Sequence, residues 1–221
     1  MAAGNVLPLA AAVPSALVIL ALASGRWTSE GLAIESIVIA PLIVLVFMLT
    51  YALLVALLVR AISPLVRPGS HPEEGATRWA LWLTYSLFEG SEQVLFPLYL
   101  SIFTRFWLRL LGVQVGNRAE VLVTWGLNRL TILDETSFVA DVAVFAVARS
   151  RAGWLHIAPI TLGSSSFLGN GAILNGSTDV GDRCLIGVMS TAPSHVPDGT
   201  SWFGCPLGAS PVAGVQPCRL M

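Results

Sequence analysis

Between residues 162 and 191 the apolar positions recur every six residues, a period that fits neither a helix nor a simple alternating strand. Read from Leu162, the blocks are LGSSSF, LGNGAI, LNGSTD, VGDRCL and IGVMST. Each opens on an aliphatic residue (Leu162, Leu168, Leu174, Val180, Ile186) and carries a small residue at its fifth place (Ser166, Ala172, Thr178, Cys184, Ser190). Glycine follows the aliphatic residue in every block but one, where Asn175 stands instead. This pattern predicts a parallel β-helix, a chain that turns a corner every six residues. First and fifth residues then point inward, and the second takes the bend, where glycine or asparagine accepts backbone angles that strain other residues.

The same phase begins earlier, with Val115, Val121, Leu127, Leu133 and Val139 at the first place and Ala119, Thr131, Ser137 and Ala143 at the fifth; Trp125 breaks it. Residues 148–160 fall out of phase and read as a loop expelled from the solenoid. Such insertions gather on one side and often carry the site. The run from Val196 to Pro206 closes the solenoid.

Upstream the pattern changes to long apolar runs. Val6–Ser24, with Pro8 and Pro14 inside, and Ile34–Val59, with Glu35 near its start and Pro41 inside, are each long enough to span a bilayer. A polar loop, Gly25–Gly31, carrying Arg26 and Glu30, separates them. Arg60, Arg67 and Arg78 follow the second run, so the positive-inside rule puts that end in the cytoplasm. Residues 79–111 are rich in Trp, Tyr and Phe but interrupted by Glu89, Glu92, Arg105 and Arg109. They read as interfacial or half-inserted helices, with two further short spans as the alternative; Glu89 and Glu92 mark the wet face of such a helix or line a polar pocket. The expected organisation is a two-helix transmembrane hairpin over 1–62, a linker over 63–78, interfacial or re-entrant aromatic helices over 79–112, the β-helix over 113–208 and a tail over 209–221.

Composition supports that division. Of 221 residues 55% are hydrophobic and only 11% charged, with mean hydropathy +0.76. Ordinary soluble domains carry about 25% charged residues, so part of this surface is expected to face lipid. A net charge of −1 argues against nucleic acid. Cys184, Cys205 and Cys218 show neither metal-ligand nor disulfide spacing, and no metal site is expected. No ionisable residue interrupts 36–59, which leaves transport through these helices without a pathway.

The closing VPDGT followed by GCP resembles the last coil of left-handed β-helix acyltransferases. A wider resemblance rests on FWLRLLGVQVG (106–116), RAGW (151–154), FLGNGA (167–172), LIGVMSTAP (185–193) and PDGTSWFG (197–204). These segments are similar to the C-terminal region of the nonribosomal peptide synthetases that include the poly-ε-lysine synthetases. In that family membrane helices alternate with tandem β-helix units implicated in joining a free amine to a carrier-bound aminoacyl thioester. The sequence departs from it in lacking adenylation and thiolation domains, in holding one unit of the tandem, and in lacking a His-x-Phe-Glu-Asp motif.

The resemblance implies membrane helices followed by an all-β left-handed parallel β-helix. The positive-inside reading, with basic residues that are all arginine as in a GC-rich bacterial genome, sets the β-helix on the cytoplasmic side of a bacterial inner membrane. It implies acyl or aminoacyl transfer from a phosphopantetheine-linked or CoA-linked donor, with no tightly bound cofactor. The implied partners are the lipid bilayer, sister β-helix units as a homotrimer or pseudo-trimer, and a carrier protein or synthetase. In hexapeptide acyltransferases a histidine is the general base, and imidazole alone titrates unperturbed near neutral pH. His156, in the expelled loop, and His195, at the end of the last coil, are the candidates; each is otherwise a plain surface or packing histidine. His71, in the linker, is set aside. Asp141 is a candidate to orient either. Asn170 and Asn175 are candidates to bind an amide of a pantetheine arm, or else corner residues of the solenoid. Arg149 and Arg151, with Trp154 beside them, and Arg183 are candidates for a phosphate. The alternative function is a non-catalytic scaffold that anchors a synthetase at the membrane.

Overall fold

The computed structural model describes residues 2–23 and 32–204. The loop with Arg26 and Glu30, the side chain of Glu35, Cys205, Cys218 and the tail 209–221 lie outside the described residues.

Two apolar helices come first, α1 (Ala2–Ala23) and α2 (Leu32–Ile62), packed on each other. Ala11, Val55 and Val59 are buried, while Leu9, Leu17, Leu20, Leu42, Leu49 and Leu53 stand exposed. Ala40–Leu65, with mean hydropathy 3.0, is long and apolar enough to cross a membrane. Among the described residues it is the one such segment; α1 contributes a shorter apolar stretch, Leu7–Leu17.

The linker is more ordered than its Pro/Gly content suggested. After a 3-10 turn at Ser63–Leu65, the strand β1 (Gly69–Pro72) pairs with a strand some eighty residues away. Then come α3 (Ala76–Val94), a single turn α4 (Phe96–Tyr99) and α5 (Thr104–Leu111). In α3, Ala80, Leu81, Thr84, Leu87, Phe88 and Ser91 are buried at helical spacing, and Trp79 and Trp82 face outward. Gly112 ends α5 in the left-handed conformation (φ 101°), donating its N–H to the Arg109 carbonyl. Leu108 and Leu111 are fully buried, and α5 packs against the first strands of the solenoid and covers that end.

The β-helix follows as three parallel faces. One contains β2 (Gln114–Val115), β4 (Thr131–Leu133), β9 (Ile160–Leu162), β12 (Asp179–Val180) and β14 (His195–Val196). A second contains β3 (Glu120–Val121), β5 (Phe138–Val139), β10 (Phe167–Leu168), β13 (Leu185–Ile186) and β15 (Ser201–Trp202). The third pairs β6 (Val144–Ala146) with β11 (Ile173–Asn175) and is extended by bridges from Trp125 and Thr191. Regular partners such as Val115 with Leu133 and Leu162 with Val180 are one coil, three hexapeptides, apart. All five first-place residues from Leu162 and all five fifth-place residues from Ser166 are buried, as are their counterparts back to Val115. Trp125 stands outside, as its break in the pattern requires.

The reason for the second-place glycines is different from the one expected. Positive φ occurs at the fourth place, at Arg118, Thr136, Val142, Ser165, Gly171, Ser177, Arg183 and Met189, mostly without glycine. The second-place glycines are instead sites of close approach. A Cβ on Gly163 would lie 2.5 Å from the Gly181 carbonyl oxygen, and one on Gly169 would lie 2.7 Å from the Val188 nitrogen.

Residues 148–157 are a β-hairpin rather than an irregular loop. The strands β7 (Ala148–Arg151) and β8 (Trp154–Ile157) meet at Ala152 and Gly153, both at positive φ as a tight hairpin turn demands. The strand β1 adds to the far edge of β8, giving an antiparallel sheet of three strands separate from the three parallel faces.

Candidate functional site

Residues directly opposite in an antiparallel pair share a face, and residues two apart along a strand do as well. Arg149 pairs with His156, and His156 with Ser70; Arg151 pairs with Trp154, and Trp154 with Pro72. One face of the hairpin sheet therefore presents Arg149, Arg151, Trp154, His156 and Ser70. The opposite face presents Leu155, which is buried, and His71, whose Nε2 lies 3.0 Å from the Arg67 carbonyl oxygen.

His156 Nδ1 lies 2.7 Å from Ser70 Oγ. With the proton on Nδ1 donated to that hydroxyl, the Nε2 lone pair is free to accept another. Arg149, Arg151 and His156 line a cavity of about 300 Å³, completed by Ala158, Gly176 and Ser177 at the solenoid corner. Two guanidiniums and an imidazole around so small a space are groups suited to an anion and to a proton acceptor beside it. Ser150, on the face opposite Arg149, hydrogen-bonds the Glu73 carboxyl, which is held below its usual range first by that bond and then by Arg78.

The other expected residues are dispersed. Asn175 adjoins the cavity wall; it pairs with Ala146, and its carbonyl accepts the Thr178 N–H. Asn170 sits at an exposed corner whose carbonyl accepts the Met189 N–H, a structural position. Arg183 is at another exposed corner, with φ 55°. His195 stands on a different face, its Nδ1 3.7 Å from an Asp179 carboxylate that also accepts a hydrogen bond from the Thr161 hydroxyl. The carboxylate beside a histidine is thus Asp179, while Asp141 acts on Glu92.

A second cavity, of about 400 Å³, lies between α3 and the third face of the solenoid. Glu92 is half-buried there and does not belong to a wet face, although Glu89 is exposed. Burial above all, then the charges of Glu89 and Asp141, raises the Glu92 carboxyl to about 7. The three-residue spacing of Glu89 and Glu92 on an aromatic helix was the available signal; the element packed over it was not visible in the pattern.

No family model matches the chain. It is 32% identical over 146 residues to delta-poly-L-ornithine synthetase of Acinetobacter baumannii (strain AB307-0294), a match covering 65% of this chain and 11% of that protein. The chain thus spans about a tenth of the length of the curated relative it matches. Among solved structures it resembles a maltose O-acetyltransferase from Clostridium difficile 630, with TM-score 0.44 and 14% identity over 66% of this chain and 94% of that one. A serine acetyltransferase in complex with coenzyme A from Brucella abortus strain S19 gives TM-score 0.41 and 14% identity over 74% and 55% of the respective chains. A hexapeptide-repeat-containing acetyltransferase from Vibrio cholerae gives TM-score 0.40 and 16% identity over 59% and 93%. The chain carries a hexapeptide-repeat parallel β-helix behind its helices and is similar to one segment of a poly-ornithine synthetase.

Proposed function

We propose that this chain is a membrane-anchored hexapeptide-repeat unit that transfers an acyl or aminoacyl group from a thioester to an amine. The supporting observation is the gathering of Arg149, Arg151 and His156 from one hairpin around one small cavity, with Ser70, remote in sequence, hydrogen-bonded to His156 Nδ1. The similarity to a poly-ornithine synthetase segment points to the same class of reaction. Arg149 and Arg151 hold the phosphate of a phosphopantetheine-linked or CoA-linked donor. The amine nitrogen attacks the thioester carbonyl carbon, the N–C bond forms and the C–S bond breaks. His156 Nε2 takes the proton lost by the nitrogen and returns it to the departing thiolate sulfur. The apolar faces of α1 and α2 enter the bilayer, with the β-helix on the cytoplasmic side of a bacterial inner membrane. A carrier or synthetase loads the donor.

The test is amide formation by the full chain in detergent, from an ornithyl-CoA thioester and free ornithine. Arg149→Ala with Arg151→Ala is expected to raise KM for the donor at least tenfold while leaving kcat within a few-fold. Absence of amide formation, or an unchanged KM in the double variant, would overturn the proposal. The scaffold reading draws on one feature, an exposed apolar corner at Val142, Val188 and Met189 that suits contact with a sister unit.

A further inference from the structure

We infer that the cavity between α3 and the third face of the β-helix is a binding site for an aliphatic primary ammonium group. This deepens the proposed function by naming where the accepting amine is held, and rests on it for that role alone.

The cavity is lined by Glu92, Glu89, Tyr85 and Phe88 from α3 and by Thr124 and Trp125 from the first coil, and none of its lining residues is basic. Two carboxylates beside aromatic rings without a countercharge form an environment that favours a cation. Thr124 supplies an independent sign. It is 4% exposed, lines the cavity, and its Oγ1 is buried without a hydrogen-bond partner. An unsatisfied buried hydroxyl is uncommon, and a bound donor or acceptor satisfies it. A primary ammonium, with three N–H donors, can serve Glu92 and Thr124 together while its alkyl chain lies along Phe88 and Val144. A metal ion fits less well, since the described residues hold no group of three His, Cys, Asp or Glu placed to bind one. The groups facing Glu92 are Glu89 on its own helix, Asp141 from the solenoid, and the Tyr99 and Tyr85 hydroxyls, which Ser91 and Asn128 respectively engage. The site adjoins the His156 cavity along the chain: Ala148 lines the first and Arg149 the second.

Calorimetric titration of the full chain in detergent with L-ornithine, against L-norvaline, which lacks the side-chain amine, tests the site. At pH 8 ornithine is expected to bind at least tenfold more tightly than norvaline. Glu92→Gln should weaken ornithine tenfold or more, and Thr124→Val several-fold. Wild-type affinity should rise from pH 6 to pH 8 as Glu92 ionises while the side-chain amine stays protonated, and Glu92→Gln should flatten that rise. Equal binding of norvaline, or full ornithine affinity in Glu92→Gln, would overturn the inference. Repeating the titration in micelles containing phosphatidylethanolamine separates two sources of the same group: competition identifies a lipid headgroup as occupant, and unchanged binding identifies the free amine. Ornithine binding without amide formation would overturn the transfer function and leave this site standing. Amide formation without Glu92-dependent binding would do the reverse.

Discussion

Single residues in this fold carry two distinct steric duties that the repeat alone merges. A second-place glycine lets adjacent coils approach; a fourth-place residue turns the corner at positive φ. Gly169→Ala should therefore destabilise the fold by about 1–3 kcal/mol through overpacking against Val188. Val142→Gly should stabilise it by about 0.5–1 kcal/mol, the relief of a β-branched residue at φ 59° less the entropy of an added glycine. Thermal melting of the two variants checks both signs. The inward residues were readable because packing admits few types there. The reason for the glycines was not, because a glycine in a repeat satisfies either duty and only coordinates show that the positive φ falls at the fourth place, on residues that are mostly not glycine.

At the scale of elements, the helical layer and the solenoid are joined by polar ties as well as by packing. Arg60, at the end of α2, donates from Nε to the Leu110 carbonyl and from Nη2 to the Arg109 carbonyl, satisfying the last turn of α5. Arg60→Ala should cost about 1 kcal/mol, read by denaturant unfolding. Glu92 sets a pH dependence of its own. Its folded pKa, about 7, lies above the ordinary carboxyl value, so the folded state holds the proton more tightly. The stability this gives is full below the ordinary value and is lost as pH rises through 7. Glu92→Gln should accordingly raise the melting temperature at pH 8 and change it little at pH 4. The expelled segment 148–160 was recognisable because it loses the six-residue phase. Its hairpin form, and the recruitment of β1 from a Pro/Gly-rich linker, were not recognisable, since a strand of four residues carries almost no pattern of its own.

Across the whole molecule, apolar helices, a covering layer and a β-helix place the His156 face beside β1, in the segment that follows α2. Arg129 also reaches back to the Ser63 carbonyl, 3.3 Å away. If α1 and α2 are embedded as proposed, the chain should stay with membranes through an alkaline carbonate wash, and release into the supernatant would contradict the anchoring. Of the residues singled out in the sequence, Arg149, Arg151, Trp154 and His156 share a face because they belong to one hairpin. Asn170 and His195 fall elsewhere, because the solenoid distributes neighbouring hexapeptides to different faces. The most direct measurement is the single-turnover rate of amide formation by the full chain, loaded with an aminoacyl-CoA thioester, for wild type, His156→Gln and His195→Gln. With His156 as base, His156→Gln should lose about 10²–10⁴-fold and His195→Gln only a few-fold. Wild-type rate in His156→Gln, with the loss appearing in His195→Gln, would contradict it and move the chemistry to the His195–Asp179 pair.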